Sequence, residues 1–424
     1  MSLAQQTYAA VTGADEDRIE RREPRNGAVQ VAALALTKTA DAILEPKLTL
    51  AWLLTALGAP GALVGWLVPV REAGSLLPQL ALAQWVERRR TRKLVWAFGS
   101  AMQGVAAVGI GLSALMLEGA AAGWAILAWL AALAVARSLC SLSHKDTLAR
   151  SIPKTRRGAI SGIAGSIAAV GGLAFGAALA LGVIPLTVEA VSIALMSAGG
   201  LWLVAALIFP GLKEAEEPRR ADARRDAGGL FAPLREDAML RRFILARALL
   251  TATALAPPFI VMAAAADPDQ RLGALGPLLL AAAAAGFASS YVWGRLSDRS
   301  SRKTLMAAGA LAATVLTAAA LAKATTGGLG GALGAALALF AAQIAYEGAR
   351  QGRKLHLTDM TTDDARARYT ALSNSLIGGV LILGGALGLV ADAYGSAATL
   401  AILAAFAALS APVSYALAEV QRDQ

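Results

Sequence analysis

Apolar residues run along this chain in long blocks closed by short polar segments, not at the three-to-four-residue spacing of a surface helix. Residues 94–115, 159–184, 272–293, 304–322, 328–345 and 396–418 carry almost no charge. A run of roughly 18 or more apolar residues is long enough to cross the hydrocarbon core of a bilayer as a helix. Lipid offers no partner to a bare peptide group, so only helices and closed barrels can span it. Barrel strands would appear as short alternating segments, which these blocks are not. The pattern predicts an all-α membrane protein of twelve transmembrane helices, over 28–55, 61–83, 94–117, 122–143, 158–184, 189–210, 240–264, 272–293, 303–323, 328–349, 369–391 and 396–418. Charges interrupt the first two.

Composition and charge sharpen this reading. Of 424 residues, 57% are hydrophobic and 16% charged, whereas soluble domains carry roughly 25% charged residues. A net charge of +10 would suit a nucleic-acid partner, but its distribution does not. Of 39 Lys and Arg, 32 fall in 1–27, 84–93, 144–157, 211–242, 295–303, 350–368 and 419–424. The alternate loops hold only Arg271 and Lys323. Basic loops stay on the cytoplasmic side, so both termini are expected there, in a multi-pass inner-membrane protein that has no need of nucleic acid. Residues 1–27 lack the apolar stretch of a cleaved signal peptide. Cys140 is the single cysteine, which excludes an intramolecular disulfide, and no Cys/His spacing suits zinc. There is no Walker loop and no nucleophile motif. No cofactor, metal or enzymatic activity is expected.

The longest polar stretch, 211–239, mixes Glu214, Glu216, Glu217, Arg219, Arg220, Asp222, Arg224, Arg225 and Asp226, the composition of a solvated linker. It divides the chain into a tail (1–27), a six-helix half (28–210), the linker (211–239), a second six-helix half (240–418) and a short tail (419–424). The halves echo each other. Glu87-Arg88 lies 211 residues before Asp298-Arg299, and His144 lies 212 before His356, each pair expected in corresponding loops. The glycines of the fifth span (Gly162, Gly165, Gly171, Gly172, Gly176) have counterparts in the eleventh (Gly378, Gly379, Gly384, Gly385, Gly388). Repeated offsets of this kind suggest a duplicated unit.

One loop carries a recognisable signature. Gly294-Arg295-Leu296-Ser297-Asp298-Arg299-Ser300-Ser301-Arg302-Lys303 resembles the G-x-L-x-D-R-x-G-R-K loop of the major facilitator superfamily, with Ser301 replacing the second glycine. Ala83-Gln84-Trp85-Val86-Glu87-Arg88-Arg89-Arg90-Thr91-Arg92-Lys93 is a looser copy. The resemblance implies two pseudo-symmetric six-helix bundles that transport by alternating access. Spans one, four, seven and ten would line a central cavity. Glu87, Arg88, Gly294, Asp298, Arg299 and Arg302 would then be gating residues that latch the halves in the outward-open state. The same charges also serve as topology determinants, and both roles stand at this point.

Ionisable side chains inside spans are costly and usually face a cavity or one another. Lys38, Asp41 and Glu45 of the first span fall within an arc of about 60° on a regular helix; Lys47 points the opposite way, nearer the outer surface. Arg71 and Glu72 lie in the second span, Arg137 in the fourth, Arg247 in the seventh, and Gln343, Glu347 and Arg350 on one face of the tenth. The expectation is that Asp41 or Glu45 exchanges a proton, tuned by Lys38 or Arg71, with Glu72 beside them, while substrate touches Arg137, Gln343 and Glu347. The competing account makes Lys38–Asp41 and Arg71–Glu72 inert structural pairs. Arg247, closer to the cytoplasmic surface, suits a gate charge or a lipid headgroup contact. Pro257-Pro258 is expected to kink the seventh span. The fifth span lacks proline, so the glycine-proline motif frequent among drug exporters is absent. The leading function is a proton-coupled carrier of a small molecule, expected to be an antiporter that exports its substrate and acts as a monomer in the lipid bilayer. A carrier of small organic or phosphorylated anions and a non-transporting sensor or assembly factor are the alternatives.

Overall fold

Regular helix forms wherever the apolar blocks run, and two of its breaks fall at Pro46 and Gly395. The computed structural model describes residues 5, 6, 8, 9, 22–78, 82, 85, 86, 89, 91–153, 155–213, 232–264, 275–361 and 363–421. The first predicted span is α1 (Glu23–Leu44), a π turn at Pro46–Leu50, and α2 (Ala51–Ala56). The second is α3 (Gly61–Gly65) and α4 (Leu67–Leu76). Then follow α5 (Arg92–Met116), α6 (Gly119–Ser151), α7 (Arg157–Ala180) and α8 (Val188–Ile208). The second half contains α9 (Ala238–Leu249), α10 (Thr251–Ala264), α11 (Leu275–Arg299), α12 (Ser301–Thr326), α13 (Gly331–Asp359), α14 (Asp363–Gly384) and α15 (Leu387–Tyr415).

Nine helices among the described residues are long and apolar enough to cross a membrane, and a tenth qualifies if Leu275–Ser289 and Tyr291–Arg299, bent by 41°, form one span. The predicted second and eleventh spans fall short of that measure. The α3 and α4 segments are each too short, and α14 opens on charged and polar residues. Large apolar side chains cover the outside. Phe287 is 90% exposed, Leu207 81% and Leu383 76%, a poor surface for water and a natural one for acyl chains.

The two halves repeat one packing scheme. In the first, α5 lies against α6 and α8, α4 against α6, and α8 against α1. In the second, α12 lies against α13 and α15, α11 against α13, and α15 against α9 and α10. The halves meet through α7 on α11 and α4 on α14, and through α3 on α15. At the α3–α15 crossing no side chain intervenes. A Cβ added to Gly65 would fall 2.7 Å from the backbone of Gly388, and one added to Gly388 would fall 2.6 Å from the carbonyl oxygen of Gly61. Beside that crossing, the Asp392 carboxylate accepts from the backbone N–H of Gly61 at 2.6 Å and of Ala62 at 2.8 Å. The seam is thus closed at this end.

At the opposite end, where residues 22 and 421 lie, the following bonds among the described residues run within a half. Arg156 pairs with Glu23, and Lys93 donates to the Leu212 carbonyl at 2.6 Å. In the second half, Ser300 donates to Glu419 at 2.6 Å and Gln421 to Asp359 at 2.8 Å.

Several local expectations are corrected. The His144 and His356 positions are helical, on α6 and α13, because both helices run past the apolar block into charged sequence. His356 is buried, 2.8 Å from the Ser301 hydroxyl. The seventh span breaks at Leu250, one to two turns before Pro257 and Pro258, which themselves lie within α10. Proline lacks the N–H that would bond four residues back, at Thr253 and Ala254 for this pair, so the break at Leu250 lies a further turn upstream of the carbonyls they leave unpaired. Gly395 (φ 82°, ψ 166°) divides Leu387–Tyr415 into two helices, in a backbone region open mainly to glycine, so the helix of span twelve starts at 396 as expected and the short helix before it prolongs span eleven. In the linker, 214–231 lies outside the described residues.

A charged cavity between the halves

The site starts from a break in the first span. Glu45 adopts φ 6° and ψ 94°, and Pro46 opens the π turn. Proline cannot donate to the carbonyl one turn earlier, so α1 ends there and the chain re-enters helix with altered phase. A constant 100° per residue would point Lys47 away from Asp41. The break brings it to the same cavity instead, with Nζ 3.8 Å from the centre of the Tyr346 ring on α13. A cation over an aromatic face is attracted by the ring quadrupole, and here that contact joins one half to the other.

Asp41 is the hub of the first-half charges. Its Oδ1 lies 2.6 Å from Arg71 of α4, and its Oδ2 contacts Arg137 of α6. Three spans therefore converge on one carboxylate. The pairing differs from the expected Lys38–Asp41 and Arg71–Glu72. Lys38, one turn from Asp41, is exposed and reaches the Ser161 carbonyl at 3.5 Å; it does not line the cavity. Glu45 does, and has no cation within ion-pair distance among the described residues. Isolated charges in low dielectric are far costlier than paired ones, which makes this contrast between Asp41 and Glu45 chemically informative.

The cavity measures about 390 Å³. Asp41, Glu45, Lys47, Arg71, Glu72 and Arg137 face it from the first half, and Gln343, Tyr346, Glu347 and Arg350 from the second. On α13, Glu347 accepts from Arg350 at 2.8 Å and from Gln343 at 3.4 Å. Val68, Pro257, Leu279 and Ala282 supply apolar wall. The volume lies within the range of small-molecule sites, which combine apolar walls with a few fixed polar groups. Tyr346 and Lys47 were absent from the sequence-based set. The Tyr346 signal was available, since it precedes Glu347 and shares a face with Arg350; Lys47 required the break.

The loop residues are dispersed. Glu87 and Arg88 lie outside the described residues. Gly294 is half-buried on α11, while Asp298 and Arg299 are exposed at its end. Arg302 lies 3.5 Å from Glu419, a residue of its own half near the C-terminus. Arg247 does not line this cavity; its guanidinium donates to Ser373 Oγ at 2.6 Å and Asn374 Oδ1 at 2.8 Å.

Solved transporters of low sequence identity share the fold. A variant of the nucleoside transporter NupG superposes with a TM-score of 0.71 at 14% identity, covering 92% of this chain and 99% of its own. A POT family transporter bound to a thioalcohol-conjugated peptide gives 0.68 at 11%, covering 92% and 95%. The xylose transporter XylE from E. coli, in an inward-open conformation, gives 0.66 at 10%, covering 94% and 97%. No curated protein sequence matches the chain. Residues 32–349 match the Major Facilitator Superfamily, three-quarters of the sequence and both halves of the cavity. This chain, a multi-pass membrane protein with a charged cleft between its two helical halves, belongs to the major facilitator superfamily.

Proposed function

We propose that the chain is a secondary transporter that moves a small molecule across the inner membrane by alternating access, with Glu45 exchanging the coupling proton. The observation that carries this reading is the unequal treatment of two acids one turn apart. Asp41 is committed to Arg71 and Arg137. Glu45 lines the same cavity with no ion pair among the described residues, so it gains or loses a proton without dismantling a cluster. A cargo group that occupies the cavity beside Glu45 competes with that proton, and competition for one acid is what antiport requires. Proton entry against cargo exit is the proposed direction.

The distribution of Lys and Arg puts the end bearing residues 22 and 421 in the cytoplasm. With the Asp392 latch at the other end, the conformation is then inward-facing. Arg137, Gln343 and Glu347 are the proposed cargo contacts, Asp41 and Arg71 the fixed electrostatic wall, and Asp298 and Arg302 the parted cytoplasmic gate. The contact between Lys47 and Tyr346 supports a path shared by both halves.

The experiment is flux in proteoliposomes under an imposed proton gradient, after a thermal-shift panel has found a ligand that stabilises the folded chain. In Glu45→Gln, counterflow of that ligand persists while gradient-driven flux is lost. Full gradient dependence in the variant would refute the assignment.

A further inference from the structure

A second cavity, of about 200 Å³, lies along the seam beyond Glu72. It is bounded by α4 of the first half and by α9, α10, α13 and α14 of the second. Three guanidiniums line it, those of Arg247, Arg350 and Arg353, against one carboxylate, Glu72. Arg350 is occupied by Glu347 at 2.8 Å. Arg247 is 9% exposed, and its two bonds go to neutral groups, the Ser373 hydroxyl and the Asn374 carboxamide oxygen. Its Nε–H is buried without a partner among the described residues. The charged group acting on it is Arg353, of like sign. Arginine carries five N–H donors in a planar fork suited to oxyanions. The Asn374 carboxamide, having given its oxygen to Arg247, keeps an N–H₂ donor on the same wall.

We infer that this cavity binds a compact oxyanion, a carboxylate or phosphate, held by Arg247 and Arg353 with Asn374 beside them. A buried guanidinium that no acid neutralises is costly, and an anion bound between it and a second arginine removes that cost. The inference rests on the transport reading only in assigning the anion to the cargo. A phospholipid headgroup offers the same chemistry from another source.

Binding of radiolabelled inorganic phosphate to the purified full chain in phosphatidylcholine nanodiscs, at constant ionic strength set with chloride, tests it. Wild type binds saturably. Loss of one charge-assisted contact weakens binding about tenfold or more, in Arg247→Gln and in the less buried Arg353→Gln, which guards against misfolding of the first. In phosphatidylglycerol nanodiscs, phosphate binding that disappears while thermal stability rises, with the rise lost in Arg247→Gln, identifies a lipid headgroup as the occupant of the same site. The site is refuted if phosphate binding is not saturable and phosphatidylglycerol gives no stability gain that depends on Arg247, or if both variants bind as wild type does. No gradient is involved, so this outcome is independent of the Glu45 flux result.

Discussion

Removing the Asp392 carboxylate opens the seam at the end it closes. The carboxylate takes two backbone N–H groups from the opposite half, Gly61 at 2.6 Å and Ala62 at 2.8 Å. Hydrogen bonds to a charged group contribute about 1.5–3 kcal/mol each in protein interiors. Asp392 itself is exposed, so water recovers much of that when the latch breaks, and a combined contribution of about 1–2 kcal/mol is reasonable. That corresponds to a roughly 5- to 30-fold change in the ratio of closed to open populations. Asp392→Ala removes the contribution entirely; Asp392→Asn keeps one carboxamide oxygen and loses the charge, giving an intermediate shift. Labels at Ala121→Cys and Leu389→Cys report the separation of the halves by electron–electron resonance. The native Cys140 is buried, with its sulfur against Gln103 and the Trp96 carbonyl at 3.3 Å, so it leaves the labelling clean. Longer distances are expected to gain population in the order wild type, Asn, Ala. Identical distributions in all three, with unchanged melting and elution, would refute the claim that this carboxylate holds the seam shut.

Two further substitutions probe the same architecture. Gly388→Val places a side chain where even a Cβ lies 2.6 Å from the Gly61 oxygen; the same label pair should lose its short-distance population, and flux should fall through trapping in the opposite conformation. Arg71→Gln leaves Asp41 with Arg137 alone and is expected to lower stability by about 1–3 kcal/mol, measured by thermal melting in detergent. The double variant with Asp41→Asn should recover part of that loss, a coupling that independent sites would not show.

The membrane fold was legible because long apolar runs have few other physical solutions, and the signature loop at Gly294–Lys303 named the family. Helix ends were harder to read, because helices such as α13 continue into charged sequence past the apolar block. Ending the tenth span at residue 349 left Arg353 in a loop, off the face that carries Tyr346 and Arg350. Which acid meets which base was not readable at all. Asp41 chose Arg71 and Arg137, on other spans, over the lysine one turn away. Lys47 was misdirected by assuming one unbroken helix through Pro46, and Glu419 was passed over because nothing local links it to Arg302.

The interrupted first span has a consequence for how cargo is recognised. Pro46 has no hydrogen to offer the peptide oxygen of Ala42, and Ala42 borders the cleft. A solute bearing an amine or hydroxyl can therefore dock on main-chain acceptors at mid-depth, as broken helices permit in other carriers. Part of the recognition surface is then invisible to side-chain mutagenesis, and an alanine scan of this cleft will recover less affinity loss than the complete set of contacts supplies.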